Sequence, residues 1–374
     1  MEPFKNIFNP VLVQDMAAHF ARHHPDFNQQ GFITDATHNF ETLELKDRSS
    51  QIAAAMQTHL HDDFEQTAAL LRASLEQNPP DDLKDAQISD HGIAGWAVMP
   101  MAHYVGLHGF DHFDTAMHLF KELTKRFTSE FAVRSFLLQD QERTMAYLMK
   151  WAEDENRHVR RLASEGCRPR LPWAPQLPQL IAEPTPLLPL LEKLKDDPEP
   201  YVRKSVANNL NDIAKDHPRV VTAIAEQWLK GASSERERLV RHACRTLIKQ
   251  GDQKLLSVLG YRKPQLKIKQ LKLGKAEVYF GGALPFALSL TSTSKQEQPL
   301  IIDYIIHHQK AGGHTTPKVF KWKTFTLKGQ ETVNLKKKHP FKKITTRVYY
   351  PGRHALEILI NGESYIKQDF ELLM

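Results

Sequence analysis

The sequence has 374 residues, of which 41% are hydrophobic and 25% are charged. A chain of this length exceeds the size at which one hydrophobic core usually suffices, so we expect two domains. No apolar run approaches the roughly 20 residues that cross a membrane, and the polar N-terminus lacks a signal-peptide core. We therefore expect a soluble, cytosolic protein without a membrane partner.

The formal net charge of +6 is unevenly distributed along the chain. From Arg262 onward there are 20 Lys or Arg and 8 Asp or Glu, a net charge of +12. The preceding part has 30 basic and 36 acidic residues, a net charge of −6. This asymmetry predicts a polyanionic partner for the C-terminal part, although a solvated basic surface would have the same composition.

The side chains that usually hold metals or disulfides follow no known spacing here. The two cysteines, Cys167 and Cys244, form neither a disulfide framework nor a metal-binding pair, and the 19 histidines include no HExxH motif. The sequence also lacks a P-loop, a GxSxG motif and a dinucleotide fingerprint. We therefore expect neither a metal ion nor another cofactor.

Helical spacing of apolar residues dominates the first 150 positions. Residues 1 to about 90 read as helices without a chemical signature, and a clear apolar face follows at Met117, Phe120, Leu123 and Phe127. Thr128 or Ser129 can cap the next helix, which places Glu130 in its first turn. Arg134 lies four residues later and could be the ion-pair partner of Glu130. From the residues alone, Glu130 is most simply explained by favourable helix-dipole chemistry.

The segment Trp151–Trp173 contains a carboxylate in an unfavourable place. An acidic triplet at 153–155 suggests a helix start, and Gly166 its end. Glu165 then lies in the last turn, where the helix dipole favours cations, and such a misplaced charge indicates function. The Pro-bounded segment after Gly166 should hold Trp173 on an extended arm.

An internal repeat follows. VRRLAS at Val159 realigns with VRKSVA at Val202, 43 residues later, and a looser copy, LVRHACRTL, begins at Leu239. This period is typical of HEAT-type helix pairs, which stack into a solenoid. The arginine that follows each valine can line the solenoid surface or make a structural contact between repeats, and the spacing does not decide between the two.

Near 261–265 the apolar period changes from 3.6 to 2. Seven or so short strands follow, one of them expected around Ile344 and Val348, and Asn361-Gly362 predicts a two-residue hairpin. The pattern favours an immunoglobulin-like β-sandwich without its disulfide. We expect its basic residues in the loops, where binding groups concentrate: Lys336, Lys337, Lys338, His339, Lys342, Lys343, Arg353 and His354.

The stretch VRRLASEGCRPRLPW closely resembles the AlkC branch of the bacterial DNA alkylation repair glycosylases, relatives of AlkD built from HEAT-like repeats. Further matching blocks are EPFKNIFN, LELKDR, LTKRFTSEFAVR, YVRKSVANNLNDIAKDHP and YYPGRHALEILING. Ser135 departs from the pattern, which has proline there. The resemblance implies a mainly α, multidomain protein: a HEAT-like α-solenoid at 1–262 and a basic, DNA-contacting immunoglobulin-like β-sandwich at 266–374.

The same resemblance implies a DNA glycosylase that hydrolyses the N-glycosidic bond of 3-methyladenine and 3-methylcytosine without base flipping. Glu130 and Glu165 correspond to the family's active-site carboxylates and Trp173 to its aromatic wall. We expect a monomer whose partner is double-stranded DNA with alkylated bases. The candidate DNA contacts are Arg134, Arg160, Arg161, Arg168, Arg203, Asn208, Lys336, Lys338, Lys342, Lys343 and Arg353.

Two other functions fit the same residues. HEAT arrays often bind proteins, so the chain could be a non-catalytic scaffold in which Glu165 and Trp173 are structural. A damaged-DNA binding protein that recognises lesions without cutting them is the third interpretation. Release of free methylated base from alkylated DNA separates the three.

Overall fold

The computed structural model describes residues 3–374. The chain forms two compact units, one comprising the residues up to Asp216 with Ser233–Ala243, and the other comprising His217–Ala232 with Cys244–Met374. Three helical segments therefore group with the β-strands, whereas the expected domain boundary lies at residues 262–266. Within residues 3–374, no helix combines the length and apolar character needed to cross a lipid bilayer.

The helical part alternates α-helices with short connections. The α-helices are α1 (Pro10–Ala21), α2 (Gln29–Thr37), α3 (Leu45–His59), α4 (Phe64–Ala73), α5 (Val98–His108), α6 (Phe113–Thr124), α7 (Val133–Gln139), α8 (Gln141–Trp151), α9 (Arg157–Gly166), α10 (Pro178–Ala182), α11 (Leu188–Leu194), α12 (Pro200–Ile213), α13 (Pro218–Trp228), α14 (Ser234–Ala243), α15 (Arg245–Gln250) and α16 (Gln253–Val258). Short 3-10 helices lie at Phe4–Ile7, Phe40–Thr42, Leu83–Asp85, Gly95–Ala97, Phe110–His112 and Thr185–Leu187.

Helix α9 begins later than the acidic triplet suggests. Asn156 is its N-cap, and the side chain of Asn156 accepts hydrogen bonds from the backbone N–H groups of His158 and Val159. An amide oxygen at the N-cap satisfies first-turn donors directly, so the local signal of Asn156 outweighs the charge at 153–155. The expected apolar face is confirmed, because Val159, Leu162 and Ala163 are fully buried.

Helix α7 also begins later than expected. Its first residue is Val133, and its N-cap, Ala132, makes no side-chain capping bond. Glu130 therefore lies in the turn before the helix and not in its first turn. The Thr128 hydroxyl instead accepts from the Glu130 backbone N–H at 3.3 Å and donates to its carboxylate at 2.7 Å.

The repeating arginines make the same structural contact in two successive repeats. Arg160 donates from Nη1 to the carbonyls of Asp154 at 2.9 Å and Glu155 at 2.8 Å. Arg203 donates from Nη1 to the carbonyls of Asp197 at 2.5 Å and Pro198 at 2.9 Å. Each guanidinium thus holds the turn that precedes its own helix. The helical-repeat fold is confirmed, and these arginines serve its architecture.

The C-terminal part contains eight strands within the described residues: β1 (Leu266–Leu273), β2 (Glu277–Tyr279), β3 (Ala283–Ser292), β4 (Gln298–Gln309), β5 (Thr315–Leu327), β6 (Thr332–Pro340), β7 (Gly352–Ile360) and β8 (Glu363–Leu373). One sheet has the order β1-β3-β6 and the other β2-β8-β7-β4-β5. All pairs are antiparallel except β2 with β8. Apolar side chains from both sheets form one core, so the β-sandwich is confirmed.

Asn361 and Gly362 form the predicted hairpin between β7 and β8, with φ values of +48° and +79°. Two successive positive φ angles are the requirement of a type I′ turn, which explains the Asn-Gly pair. Asn361 is also buried, because its side chain bonds the backbone of Arg262, Pro299 and Ile301. The strand expected at 344–348 is wrong: Ile344 and Arg347 form only an isolated bridge.

Three histidines lie buried in the sandwich core. The ring of His308 lies 6.4 Å from that of His339 and 5.7 Å from that of His354. Each ring has one nitrogen without a hydrogen-bond partner among residues 3–374. Burial, followed by the charge of Arg347, lowers the pKa of His308 to about 3 and that of His339 to about 4. The pKa of His354 is lowered mainly by burial.

We expect the sandwich to lose stability in mild acid. Below a pKa of 6.5 the unfolded histidines bind protons while the buried ones stay neutral, so the free energy of unfolding falls from pH 6.5 downward. The slope is at most about 1.4 kcal/mol per pH unit for each histidine. Urea unfolding at pH 7 and pH 5 measures it, and His339→Phe should reduce the loss between these pH values. An equal loss in this variant would contradict the assignment.

Candidate active site

Glu130 and Glu165 lie on either side of the Arg161 guanidinium. Arg161 Nη1 forms an ion pair and a hydrogen bond with Glu130 Oε2, and its Nη2 lies 3.5 Å from Glu165 Oε1. Arg161 also donates to the Thr128 hydroxyl at 3.0 Å, and its guanidinium carbon lies 5.4 Å from the centre of the Tyr201 ring. One arginine thus joins a turn before α7 to the last turn of α9.

Glu165 has a second cationic partner and a hydroxyl donor. Arg168 Nη1 donates to Glu165 Oε1 at 2.7 Å, and Arg168 Nε donates to Asp212 at 2.9 Å. Ser205 Oγ donates to Glu165 Oε2 at 2.6 Å. Glu165 is only 5% exposed, so these partners compensate a carboxylate that would be costly to bury alone.

The surroundings keep Glu165 ionised. Burial would raise the pKa of this carboxyl, but the charges of Arg161 and Arg168 and the bond from Ser205 outweigh it, and the pKa lies below its usual range. The pKa of Arg161 is raised, since Glu130 and Glu165 overcome the effect of its burial. Glu165 therefore suits electrostatic stabilisation of a cation and is unsuited to donate a proton near neutral pH.

Trp173 is held in an unusual backbone conformation. Its φ of +67° lies in the left-handed region, which is unfavourable for a large side chain, and its carbonyl accepts a hydrogen bond from Lys46 Nζ. The expected extended arm is therefore wrong at Trp173. The indole is 63% exposed, so Trp173 is not a core residue either. Exposure and a constrained backbone together indicate a presented aromatic surface.

Other aromatic rings support the indole. Phe4 lies 6.5 Å from Trp173 and 5.2 Å from Trp96, and Trp96 lies 4.8 Å from Phe127. A cavity of about 310 Å³ is lined by the rings of Trp96, Phe127 and Trp173 and by the carboxylates of Glu130 and Glu165. The three residues that the sequence brings forward as catalytic candidates therefore share one cavity, which we call the acidic cavity.

The chemistry available in the acidic cavity is that of preorganised charge. Cys167, near Glu165 in sequence, is fully buried and its pKa is raised to about 12 by burial, so it is no nucleophile. Among residues 3–374, no group of three or more His, Cys, Asp or Glu side chains is arranged to hold a metal ion. What remains are two buried carboxylates that can stabilise a positive charge or orient a water molecule.

Arg134 has no surface with which to reach a phosphate. It is completely buried and donates to the carbonyls of Gly166 at 2.9 Å, Arg168 at 2.7 Å and Pro175 at 2.9 Å. Its burial contradicts the expected DNA contact, and its guanidinium bonds carbonyls in place of the expected ion pair with Glu130, which pairs with Arg161. Arg134 instead fixes the backbone between α9 and the segment that carries Trp173.

The other expected phosphate contacts are also engaged within the protein. Arg161 and Arg168 bind the carboxylates described above. Arg160 binds Asp197 through Nε at 2.6 Å, in addition to its carbonyl contacts, and Arg203 holds its own turn. Asn208 Oδ1 lies 3.1 Å from His242 Nε2. None of the four arginines is a free cation, and the neutral amide of Asn208 is also engaged, so any contact of these five residues with DNA requires a group that is already bonded.

The basic residues of the sandwich lie mainly on strands and not in loops. Lys336 and Lys338 alternate on β6 with buried Leu335 and His339, and Arg353 lies on β7, where it pairs with Asp369. The loop expectation is confirmed for Lys342 and Lys343, which are exposed and follow β6. A groove of about 500 Å³ on the β1-β3-β6 sheet is lined by four lysines: Lys272, Lys336, Lys337 and Lys338.

Several residues of the site escape sequence reasoning. Ser205 and Asp212 lie on α12, about 40 residues after the groups they bind. Lys46 comes from α3 and lies 127 residues before Trp173. No local spacing connects such residues. The 43-residue repeat is the one available signal, because it predicts that α12 packs beside α9, as the 2.7 Å bond between Ser164 and Ser205 shows.

Helical repeats with an ion-paired dicarboxylate site, followed by an immunoglobulin-like sandwich, define the class of this protein. Residues 111–247 match the DNA alkylation repair enzyme family, and residues 267–374 match the C-terminal Ig-like domain of the uncharacterised protein YhaZ. The chain is 36% identical to the uncharacterized protein YhaZ of Bacillus subtilis (strain 168), and the match covers 100% of both chains.

A solved structure agrees over the same length. The alkylpurine DNA glycosylase AlkC of Pseudomonas fluorescens, bound to DNA with an abasic site analog, is 36% identical and superposes with a TM-score of 0.89 over 100% of both chains. The chain therefore belongs to the DNA alkylation repair enzyme family, in its AlkC branch. The resemblance to the AlkC branch that the sequence indicates is thereby confirmed by the fold.

The structural role of Arg134 leads to a prediction. Arg134→Met should lower the free energy of unfolding by several kcal/mol, because each buried carbonyl that loses its donor costs about 1–3 kcal/mol. Arg170→Met is the matched control, since Arg170 pairs with Asp216 at the surface and its loss should hardly change stability. Urea unfolding of both variants measures the difference. Equal free energies of unfolding for the two variants would contradict a structural role of Arg134.

Proposed function

We propose that this protein is a DNA glycosylase that excises cationic alkylated bases, such as 3-methyladenine and 3-methylcytosine, from double-stranded DNA. The observation that carries the proposal is the pair of buried carboxylates, Glu130 and Glu165, held by Arg161 in a cavity walled by Trp173. The membership of the AlkC branch supports the reaction class.

The chemistry of the lesion explains why so few groups suffice. When the C1′–N bond breaks, its electron pair passes to the base and neutralises the positive charge that methylation placed there. The base is therefore a good leaving group and needs no proton from the enzyme. The sugar becomes an oxocarbenium-like cation, which the carboxylates stabilise electrostatically. Water then adds to C1′ and releases one proton to the solvent, which leaves a hydroxyl group on the sugar. Glu165, whose pKa is lowered, stays ionised for this task.

Arg161 and Arg168 act in this mechanism through the carboxylates. Three carboxylates, Glu130, Glu165 and Asp212, face these two arginines in one connected network. Lys215 also pairs with Asp212 at 2.9 Å, so three acidic and three basic groups balance. The arginines thus fix the positions of the two glutamates, which both line the cavity that would receive the sugar. Positioning the two glutamates replaces the phosphate contacts that we expected for Arg161 and Arg168.

Base flipping is not required by this arrangement. A cationic base can leave while still largely stacked, because the carboxylates need only approach the sugar. Trp173 then presents its exposed indole beside the damaged nucleotide. The Ig-like domain, with its lysine-lined groove, supplies the attraction for the phosphate backbone that the net acidic helical part cannot supply.

Replacing the carboxylates tests the proposed reaction. Glu130→Gln and Glu165→Gln should each slow excision by roughly 100-fold or more, which is the scale of losing one electrostatic stabiliser. Binding to alkylated DNA should change much less. Glu142→Gln, an exposed glutamate of α8, is the matched control. Release of free base under single-turnover conditions measures the rate. Near wild-type release by both folded variants would remove these residues from the mechanism.

Replacing the basic residues tests the role of the sandwich. Changing Lys336, Lys338, Lys342 and Lys343 together to Ala should weaken DNA binding nearly independently of the lesion. The slope of log K against log salt is about −0.9 per neutralised phosphate, so losing two or three contacts should make it shallower by roughly two to three units.

The control variant has the same net charge. It changes four exposed lysines of the same domain that lie outside the groove: Lys295, Lys318, Lys323 and Lys328. The control should keep most of the salt dependence. If the two quadruple variants bind alike, the net charge of the domain and not the position of the lysines determines the affinity. An unchanged slope in both variants would assign the domain another role.

A further inference from the structure

The acidic cavity contains one cation that has no carboxylate partner. Two basic side chains, Lys46 and Arg168, line this cavity. Arg168 is already engaged by Glu165 at 2.7 Å and by Asp212 at 2.9 Å. Lys46 is exposed, and within residues 3–374 its ammonium has a single partner, the backbone carbonyl of Trp173. Lys46 is therefore the basic side chain of the cavity whose charge is not balanced by a direct ion pair.

The neighbouring arginines cannot bind a phosphate without disturbing the site. Arg161 pairs with both Glu130 and Glu165, and Arg134 is completely buried against backbone carbonyls. If Arg161 or Arg168 turned to a phosphate, a buried glutamate would lose its partner, and a buried charge without a partner is strongly destabilising. Lys46 can bind an anion while the network of carboxylates and arginines stays intact.

The ammonium of Lys46 has donors that the described part of the protein does not use. A lysine ammonium has three donors and no acceptor. One donor of Lys46 is bonded to the Trp173 carbonyl, and the other two make no hydrogen bond within residues 3–374. Hydrogen bonds between an ammonium and a phosphate are of the strong, charge-assisted kind. Lys46 can therefore bind the carbonyl of Trp173 and a phosphate at the same time.

The bond from Lys46 acts on a residue in a strained conformation. The φ angle of Trp173 is +67°, and such a conformation persists only where the surrounding contacts hold it. Lys46 holds the Trp173 carbonyl, and Arg134 Nε holds the carbonyl of Pro175, two residues later, at 2.9 Å. A phosphate bound to Lys46 is therefore connected, through one side chain, to the residue that presents the indole.

The proposed reaction brings a phosphate to the same part of the protein. Without base flipping, the sugar of the damaged nucleotide approaches Glu130 and Glu165 while the base stays stacked. Each sugar inside a DNA strand is bonded to one phosphate on its 5′ side and to another on its 3′ side. These two phosphates approach the cavity together with the sugar. Lys46 lines that cavity and is exposed, so it can meet one of them.

We propose that Lys46 binds one of the two phosphates that flank the damaged nucleotide and keeps its bond to the Trp173 carbonyl. Lys46 thereby sets the position of the DNA backbone relative to the indole. This inference rests on the proposed glycosylase function and deepens it, because it assigns the phosphate contact at the lesion to a residue of α3. Lys46 binds and orients the substrate, and the two glutamates act on the sugar.

Removing the charge from each partner in turn tests this contact. The full-length protein is titrated with a duplex that contains an abasic site analog. A methylphosphonate, which is uncharged, replaces the phosphate on the 5′ side, the phosphate on the 3′ side, or a remote phosphate. At one flanking position it should weaken binding by the wild type about 10-fold. Lys46→Met should bind the unmodified duplex about 10-fold more weakly. The same methylphosphonate should then cost this variant less than 2-fold.

Two further variants serve as controls. Lys46→Arg keeps the charge and the donors, and should retain both the affinity and the response to the methylphosphonate. Lys150→Met removes an exposed lysine of α8 that does not line the acidic cavity, so it should respond to each methylphosphonate as the wild type does. Lys46→Met should also make the slope of log K against log salt shallower by about one unit, as expected for one phosphate.

The response to the methylphosphonates decides the outcome. The proposal is overturned if Lys46→Met and the wild type respond alike at both flanking positions. It is also overturned if the remote methylphosphonate loses its effect in Lys46→Met to the same degree, because the contact would then not be specific to the lesion.

Single-turnover excision at saturating enzyme tests the connection to Trp173. If Lys46 positions the backbone relative to the indole, Lys46→Met should slow excision from the bound state about 10-fold, and Lys46→Arg should restore the rate. A lower affinity with an unchanged saturating rate would contradict this positioning role.

The two assays separate this inference from the proposed function. If alkylated DNA yields no free base while the methylphosphonate response depends on Lys46, the glycosylase proposal fails and the phosphate contact stands. If excision proceeds and the response does not depend on Lys46, the phosphate contact fails alone.

Discussion

The ion pairs of Arg161 hold together the two parts of the chain that form the candidate site. Glu130 lies in a turn without a helical cap of its own, and Glu165 lies where the helix dipole opposes it. Neither carboxylate would be stable in its buried position alone, since an unpaired buried charge is strongly destabilising. The geometry of the cavity therefore depends on Arg161, which pairs with both carboxylates, together with Arg168, which donates to Glu165.

This constraint separates catalysis from attraction to DNA. The arginines around the candidate site are bonded to carboxylates or carbonyls of the protein, so none of them is free to attract a phosphate. The net positive charge of the chain is concentrated in the C-terminal part, which carries +12. A balanced site keeps the glutamates ionised, and a basic domain that contributes none of these groups can change its affinity for the phosphate backbone separately.

Local patterns in the sequence predict much of the fold. The apolar face of α9 follows from helical spacing, and the Asn361-Gly362 turn follows from the need for two positive φ angles. Other predictions fail because tertiary packing, and not local propensity, decides which segments form strands. The lysines of β6 do not favour a strand, yet inward-facing Leu335 and His339 fix their alternation.

The site is predictable to a smaller degree. Glu165 is recognisable by its position at the wrong helix end, but its partners Ser205 and Asp212 come from another repeat. Arg134 illustrates the opposite error, because its spacing from Glu130 suggests an ion pair while the fold gives it three carbonyls. Side-chain partners across helices are set by packing distances that a single sequence does not reveal.

The matching contacts of Arg160 and Arg203 have a consequence for how such a chain can evolve. Each arginine braces the turn ahead of its own helix, and Arg160 also reaches Asp197 in the turn that Arg203 braces. These contacts fix the position of each helical repeat relative to the next. An insertion inside a loop is tolerated if the contacts between the arginine and its turn survive. A shift by one residue between valine and arginine would break these contacts, and the side chains of the following repeats would then be misplaced.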